Sequence, residues 1–164
     1  MKTRLRALTL WQPWASAILD GVKPWENRPW APRQLRSMEP EPLWLALHAG
    51  LTIDRGLDRR VPRHRLRTYW AELAELWPGR DCRRKADWPR GVLLGLVRFD
   101  HAVRHVEGAE SWGDPWAVGP WCWHVDEVLA LEEPIPCRGA QGLWYVPEEH
   151  VVVFRELYRS RRAA

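Results

Sequence analysis

Apolar positions along the chain fall into short blocks with two different periods. Residues 5–10 form a brief apolar-rich run that predicts a strand. Pro13 suits the first turn of a helix, because it lacks an N–H that would be unpaired there anyway. Trp14, Ile18 and Val22 then recur every four residues, with Ala15, Ser16 and Ala17 between them, which predicts a short helix stopped by a left-handed Gly21. Lys23 precedes Pro24, so its backbone is pushed to an extended conformation, and 24–30 reads as extended. Residues 31–42, with Pro32, Pro40 and Pro42, read as a loop. Residues 43–48 (Leu-Trp-Leu-Ala-Leu-His) predict a strand ended by Ala49 and Gly50. Further strands are expected over 91–99, where the run is almost wholly apolar and so buried, over 121–131, and briefly over 143–146. Loops are expected over 108–121 and 134–142. Val151, Phe154 and Tyr158 lie at helical spacing within a C-terminal helix over 147–159.

The stretch 51–90 departs from this rhythm. Leu66, Tyr69, Trp70, Leu73, Leu76 and Trp77 share one helical face, which Pro78-Gly79 closes. It reads as a helical insertion in a single domain spanning 1–164. Short strands, few helices and long loops together predict the α+β class, specifically a small mixed β-barrel with short flanking helices.

Composition changes this picture in its aromatic content. The chain has 13 Trp against 2 Phe and 3 Tyr. Indole suits both core filling and stacking on a flat ligand, and about two-thirds of these residues are expected in the core. Pro-Trp recurs without a period at Trp14, Trp25, Trp30, Trp116 and Trp121. The net charge of +4 fits a polyanionic partner without requiring one. Lys occurs only at Lys2, Lys23 and Lys85. Residues 51–90 carry 11 Arg or Lys against 6 Asp or Glu, either a basic flap facing a partner or a solvated helix. Cys82, Cys122 and Cys137 form no CxxC pair and no Cys/His spacing typical of zinc. Their odd number, with no apolar leader, points to reduced thiols in a cytoplasm. No apolar run is long enough for a membrane span. Neither a cofactor nor a metal is read from the sequence, and nothing in it sets an oligomeric state.

Candidate chemistry concentrates between Trp11 and Trp30. Gly21, Lys23, Glu26 and Arg28 fit G-x-K-x-x-E-x-R, a pattern that four fixed residues match by chance in roughly one chain in a thousand of this length. Gln12-Pro13-Trp14-Ala15-Ser16 precedes it, Trp30 follows, and His48-Ala49 ends the next strand. A tail with Trp121-Cys-Trp-His, Pro134-Ile-Pro-Cys-Arg-Gly139 and Gly142-Leu-Trp144 accompanies them. Together these residues resemble the ASCH domain family of the PUA-like superfamily, over about 1–50 and 90–146. The resemblance implies a five- or six-stranded barrel, a cleft lined by the motif, and binding of RNA or a related ligand. Some short ASCH proteins hydrolyse an acylated cytidine. They typically carry Thr where this chain has Glu26.

In a strict strand Glu26, Arg28 and Trp30 share one face, and Lys23 meets Glu26 only if the chain bends at Pro24. Lys23 and Arg28 then face an anion and Glu26 accepts from a base amino group, or the three simply neutralise one another. Gln12 reads a base edge or caps the helix. Trp14 stacks on a base or anchors the helix. Ser16 follows one turn on, and His48 touches the ligand or is a satisfied structural residue. Trp112, in the loop 111–116, closes over the cleft or plugs a hydrophobic gap. Gln12, Trp14, Ser16, Lys23, Glu26, Arg28, Trp30, His48 and Trp112 are therefore the candidate binding residues. No Ser–His–Asp order, HExxH, Walker loop or GxGxxG is present. RNA or nucleotide binding ranks first, with DNA as the other polyanion. Hydrolysis of a modified nucleoside or an RNA phosphodiester, with Lys23 and Glu26 catalytic, ranks second. A protein-interaction module with exposed Pro-Trp surfaces ranks third.

Overall fold

In the computed structural model, residues 4–54, 73–80, 88–105 and 114–161 are described. Six strands form one mixed sheet in the order β2-β5-β4-β3-β1-β6. They are β1 (Arg6–Gln12), β2 (Trp25–Arg28), β3 (Leu43–Ile53), β4 (Val92–Arg104), β5 (Trp121–Pro136) and β6 (Leu143–Tyr145). Helix α1 (Trp14–Leu19) follows β1, and α2 (Glu148–Ser160) follows β6. A 3-10 turn at Arg33–Leu35 lies within the expected 31–42 loop. β1 runs parallel to β3, and every other pairing is antiparallel.

The apolar runs are explained by two cores, one on each face of the sheet. Leu8, Leu10, Leu45, Leu47, Val97, Phe99 and Trp123 point to one side, where Ala15 and Ile18 of α1 and Leu35 of the turn join them. Ala7, Ala46, Leu93 and Leu96 point to the other, where Val151 and Phe154 of α2 cover them. Because β3 and β4 are buried on both faces, they lack the polar alternation of a half-exposed strand. A third cluster joins Ala17 to Leu73, Trp77, Trp88 and Trp116, so the described end of the insertion packs against α1.

The expected barrel is not closed: the ladder ends at β2 and β6, which do not pair among the described residues. The α+β class stands. β3 also runs past Ala49 and Gly50 to Ile53, because Gln12 of β1 still pairs with Ile53. Gly50 sits inside the strand with Thr9 Cγ2 3.0 Å from where its Cβ would be. β5 likewise continues to Pro136 through the expected loop. β2 pairs only with residues 121–124 of β5. Beyond that point the outer edge of β5 has no strand beside it among the described residues, so Pro134 and Pro136 interrupt no ladder there. The helical face expected over 66–77 is described only from residue 73, and 73–76 are helical. Residues 55–72, 81–87 with Cys82 and Lys85, and 106–113 with Trp112 lie outside the described part. No helix among the described residues is long and apolar enough to cross a membrane.

Candidate functional site

The helix-to-strand turn forms as its residue types require. Gly21 takes φ 73°, and Val22 and Lys23 both donate their backbone N–H to Ala17 O at 3.1 Å. Pro24 then bends the chain so that the Lys23 side chain turns back over β2. Lys23 Nζ donates to the Trp25 carbonyl and to Glu26 Oε2, the latter at 3.0 Å. Glu26 Oε1 lies 2.8 Å from Arg28 Nε. That contact is an ion pair off the N–H direction, since Arg28 Nε has no hydrogen-bond partner. Lys23 and Glu26 are buried, while the Arg28 side chain is 22% exposed.

Arg28 carries the network onward. Its Nη2 donates to the Thr9 carbonyl on β1 at 2.8 Å, linking edge strand β2 to the strand next to the opposite edge. Thr9 is a hub that no sequence motif marks. Its hydroxyl accepts from Trp144 Nε1 at 2.9 Å and lies 3.1 Å from His48 Nδ1. His48 Nε2 lies 2.9 Å from the Cys137 carbonyl, which can only accept, so Nε2 carries the hydrogen and Nδ1 accepts from Thr9. Burial lowers the His48 pKa, with the bond to Cys137 opposing. Gly139 lies against the ring, where an added Cβ would stand 2.4 Å from His48 Cε1. His48 is thus a neutral, doubly bonded interior residue.

The other candidates sit apart from this chain of bonds. Gln12 is fully buried; its Nε2 donates to the Pro89 carbonyl at 2.8 Å and its Oε1 accepts from the Ser16 N–H at 3.1 Å. Its amide therefore secures the start of α1 rather than facing solvent. Ser16 is buried in the same turn. Trp14 donates to Asp54 Oδ2 at 2.7 Å and meets Trp116 edge-on at 6.1 Å. Trp30 differs from these: it is 37% exposed, its carbonyl accepts from Trp123 Nε1, and its ring meets the Trp123 edge at 5.0 Å. It lines an open groove of about 600 Å³ together with Arg6, Arg33, Gln34, Glu39 and Glu41.

No protein-family model and no curated protein matches this sequence.

A second polar cluster, which spacing along the chain did not reveal, lies where β2, β4 and β5 meet. His101 Nδ1 and His124 Nδ1 both point at Asp100 Oδ1, at 2.8 and 2.9 Å. Burial alone would raise the Asp100 carboxyl, but the hydrogen bonds and charges of the two histidines outweigh it and hold it below its ordinary value. Asn27 organises the adjoining loop. Its Oδ1 accepts from the N–H groups of Val118 and Gly119, and its Nδ2 donates to the Trp116 carbonyl. The thiols of Cys122 and Cys137 are both pushed up by burial, which lowers their thiolate share.

Proposed function

We propose that this chain is a nucleic-acid-binding domain of the ASCH type, taking single-stranded RNA or a nucleotide-sized ligand in the groove at Trp30. The observation that carries the reading is that groove, where an exposed indole stands in company with the guanidinium groups of Arg6 and Arg33. An aromatic face for a base and cations for the backbone are what single-strand binding requires. Gln34 offers both a donor and an acceptor to a base edge, and Glu39 and Glu41 accept from base amino groups. The Lys23–Glu26–Arg28 network supports the reading from beneath. Buried ion pairs are weak sources of stability, and this one fixes Arg28 two residues before Trp30. Arg28 spanning β2 and β1 also favours a barrel-like, PUA-like arrangement of the sheet.

The test is fluorescence anisotropy with a short labelled single-stranded RNA, with the matching DNA and free nucleotides as competitors. Trp30→Ala is expected to weaken binding roughly 5- to 150-fold, the equivalent of about 1–3 kcal/mol for one stacked base. Equal affinity in the variant would remove Trp30 and the groove from the reading. In the same preparations, acylated cytidines are followed by mass spectrometry. Turnover that disappears in Lys23→Ala would put hydrolysis in first place.

A further inference from the structure

We propose that Asp100, His101 and His124 form a site for one divalent transition-metal ion, bound through two imidazole nitrogens and one carboxylate oxygen. The local backbone explains how three such residues come together. Phe99 pairs with Val125 and Ala102 with Trp123, so between them two residues of β4 oppose the single residue His124 of β5. In a regular strand Asp100 and His101, being consecutive, would point to opposite faces. The bulge turns both toward His124, and re-aiming a side chain in this way is a recurrent use of bulges beside functional sites.

The geometry suits an ion. One ligand atom from each of the three residues lies within 4.8 Å of the other two. The imidazole rings stand 5.0 Å apart and 31° from parallel. Trp25, the β2 partner of His124, backs both rings at 5.7 and 4.8 Å. Trp25 is itself held by its indole N–H on Asp114 Oδ2 at 3.1 Å. The ligands are thus supported on one side. The side chains of Asp100, His101 and His124 are 35%, 36% and 32% exposed, enough for a hydrated ion to enter.

Imidazole nitrogen with carboxylate oxygen favours Zn²⁺, Co²⁺, Ni²⁺ or Cu²⁺ over Mg²⁺ or Ca²⁺, which take oxygen ligands. In the bound form each imidazole carries its hydrogen on Nε2 and offers the Nδ1 lone pair to the ion. Three protein ligands leave a fourth position of a tetrahedral ion for water or a substrate oxygen, as in catalytic rather than structural zinc sites. Cysteine plays no part, so the usual search for Cys spacings misses such a site.

Metal-free full-length protein is titrated with Zn²⁺ and Mg²⁺ by calorimetry, and with Co²⁺ by visible absorption. One Zn²⁺ or Co²⁺ per chain is expected to bind, with no saturable Mg²⁺ binding. His124→Ala and Asp100→Asn should each weaken it by about 10-fold or more, with the far-UV circular dichroism unchanged, whereas His150→Ala on α2 should not. Should a variant misfold, the wild-type protein still decides: Zn²⁺ should shift the ¹⁵N resonances of the His101 and His124 Nδ1 atoms. Absence of one-to-one binding, unaltered affinity in His124→Ala, or unmoved Nδ1 resonances would each overturn the proposal.

Discussion

His48 is a residue whose surroundings favour one charge state. Both ring nitrogens are engaged in the neutral form, and burial holds its pKa below the ordinary 6.5. Between that lowered value and 6.5 the unfolded chain binds more protons than the folded one, so stability rises with pH. The contribution of His48 is whole above pH 6.5 and is lost as pH falls through the folded value. Urea midpoints measured from about pH 7.5 down to about 5 should therefore decline, and His48→Gln should flatten that decline. An equal slope in the variant would show that another group causes it. Lys23 and Glu26 allow a sharper test, being buried against each other. Glu26→Gln leaves the Lys23 charge without its counter-ion and should cost about 3–5 kcal/mol in chemical denaturation. Lys23→Met with Glu26→Leu, which removes both charges, should cost far less. If the double variant is the less stable one, the pair contributes more than charge compensation. At this scale the sequence pointed to Lys23, Glu26 and Arg28, because a four-residue motif is legible without coordinates. Thr9 and Asp100 were not legible: Thr9 gains its partners only when strands distant in sequence lie side by side, and Asp100 meets both histidines only because a bulge in β4 turns it and His101 toward His124.

The elements were largely readable from period and punctuation, as at α1, where four-residue spacing and Gly21 bracket the helix. The strand ends were not. Gly50 and Pro134 carry the local signature of a stop, yet pairing with Gln12 in one case and Val92 and Leu93 in the other carries β3 and β5 through them. Gly95 is the reverse case, a glycine with a purely tertiary reason. A Cβ there would stand 2.2 Å from the Leu129 carbonyl oxygen, so β4 and β5 approach this closely only with no side chain present. α2 covers the second core with Val151 and Phe154, and Phe154 is 2% exposed. Phe154→Ala should lower unfolding stability by about 3–5 kcal/mol. A loss below about 1 kcal/mol would mean that α2 can settle into the space left behind.

Across the whole molecule, the sheet bends until Arg28 on β2 reaches Thr9 on β1, although the two strands do not pair. Hydrophobic patterning could foresee a curled, two-sided sheet but not whether its ends would pair, because closure depends on strand tilt and stagger that no local pattern records. Single-strand binding at the groove also has a signature at this scale. If Arg6 and Arg33 each neutralise one phosphate, log affinity should fall with log salt at a slope of about −1.4. A flat salt response would point to a ligand without a charged backbone.

The outer edge of β5 beyond residue 124, which no strand among the described residues covers, bears on how the protein behaves at high concentration. A long strand edge with free N–H and C=O groups invites another copy to add itself as a strand. Here the run carries Glu132 and Glu133, followed by Pro134 and Pro136, while Asp126 and Glu127 nearer its start are ion-paired with Arg98 and Arg161. A second copy docking along it would set like charges together and meet prolines that cannot donate. Glu132→Gln with Glu133→Gln raises the net charge from +4 to +6, which on its own should keep molecules further apart. If light scattering on mild heating nonetheless rises in that variant, the two carboxylates guard this edge; if it falls, only the overall charge matters.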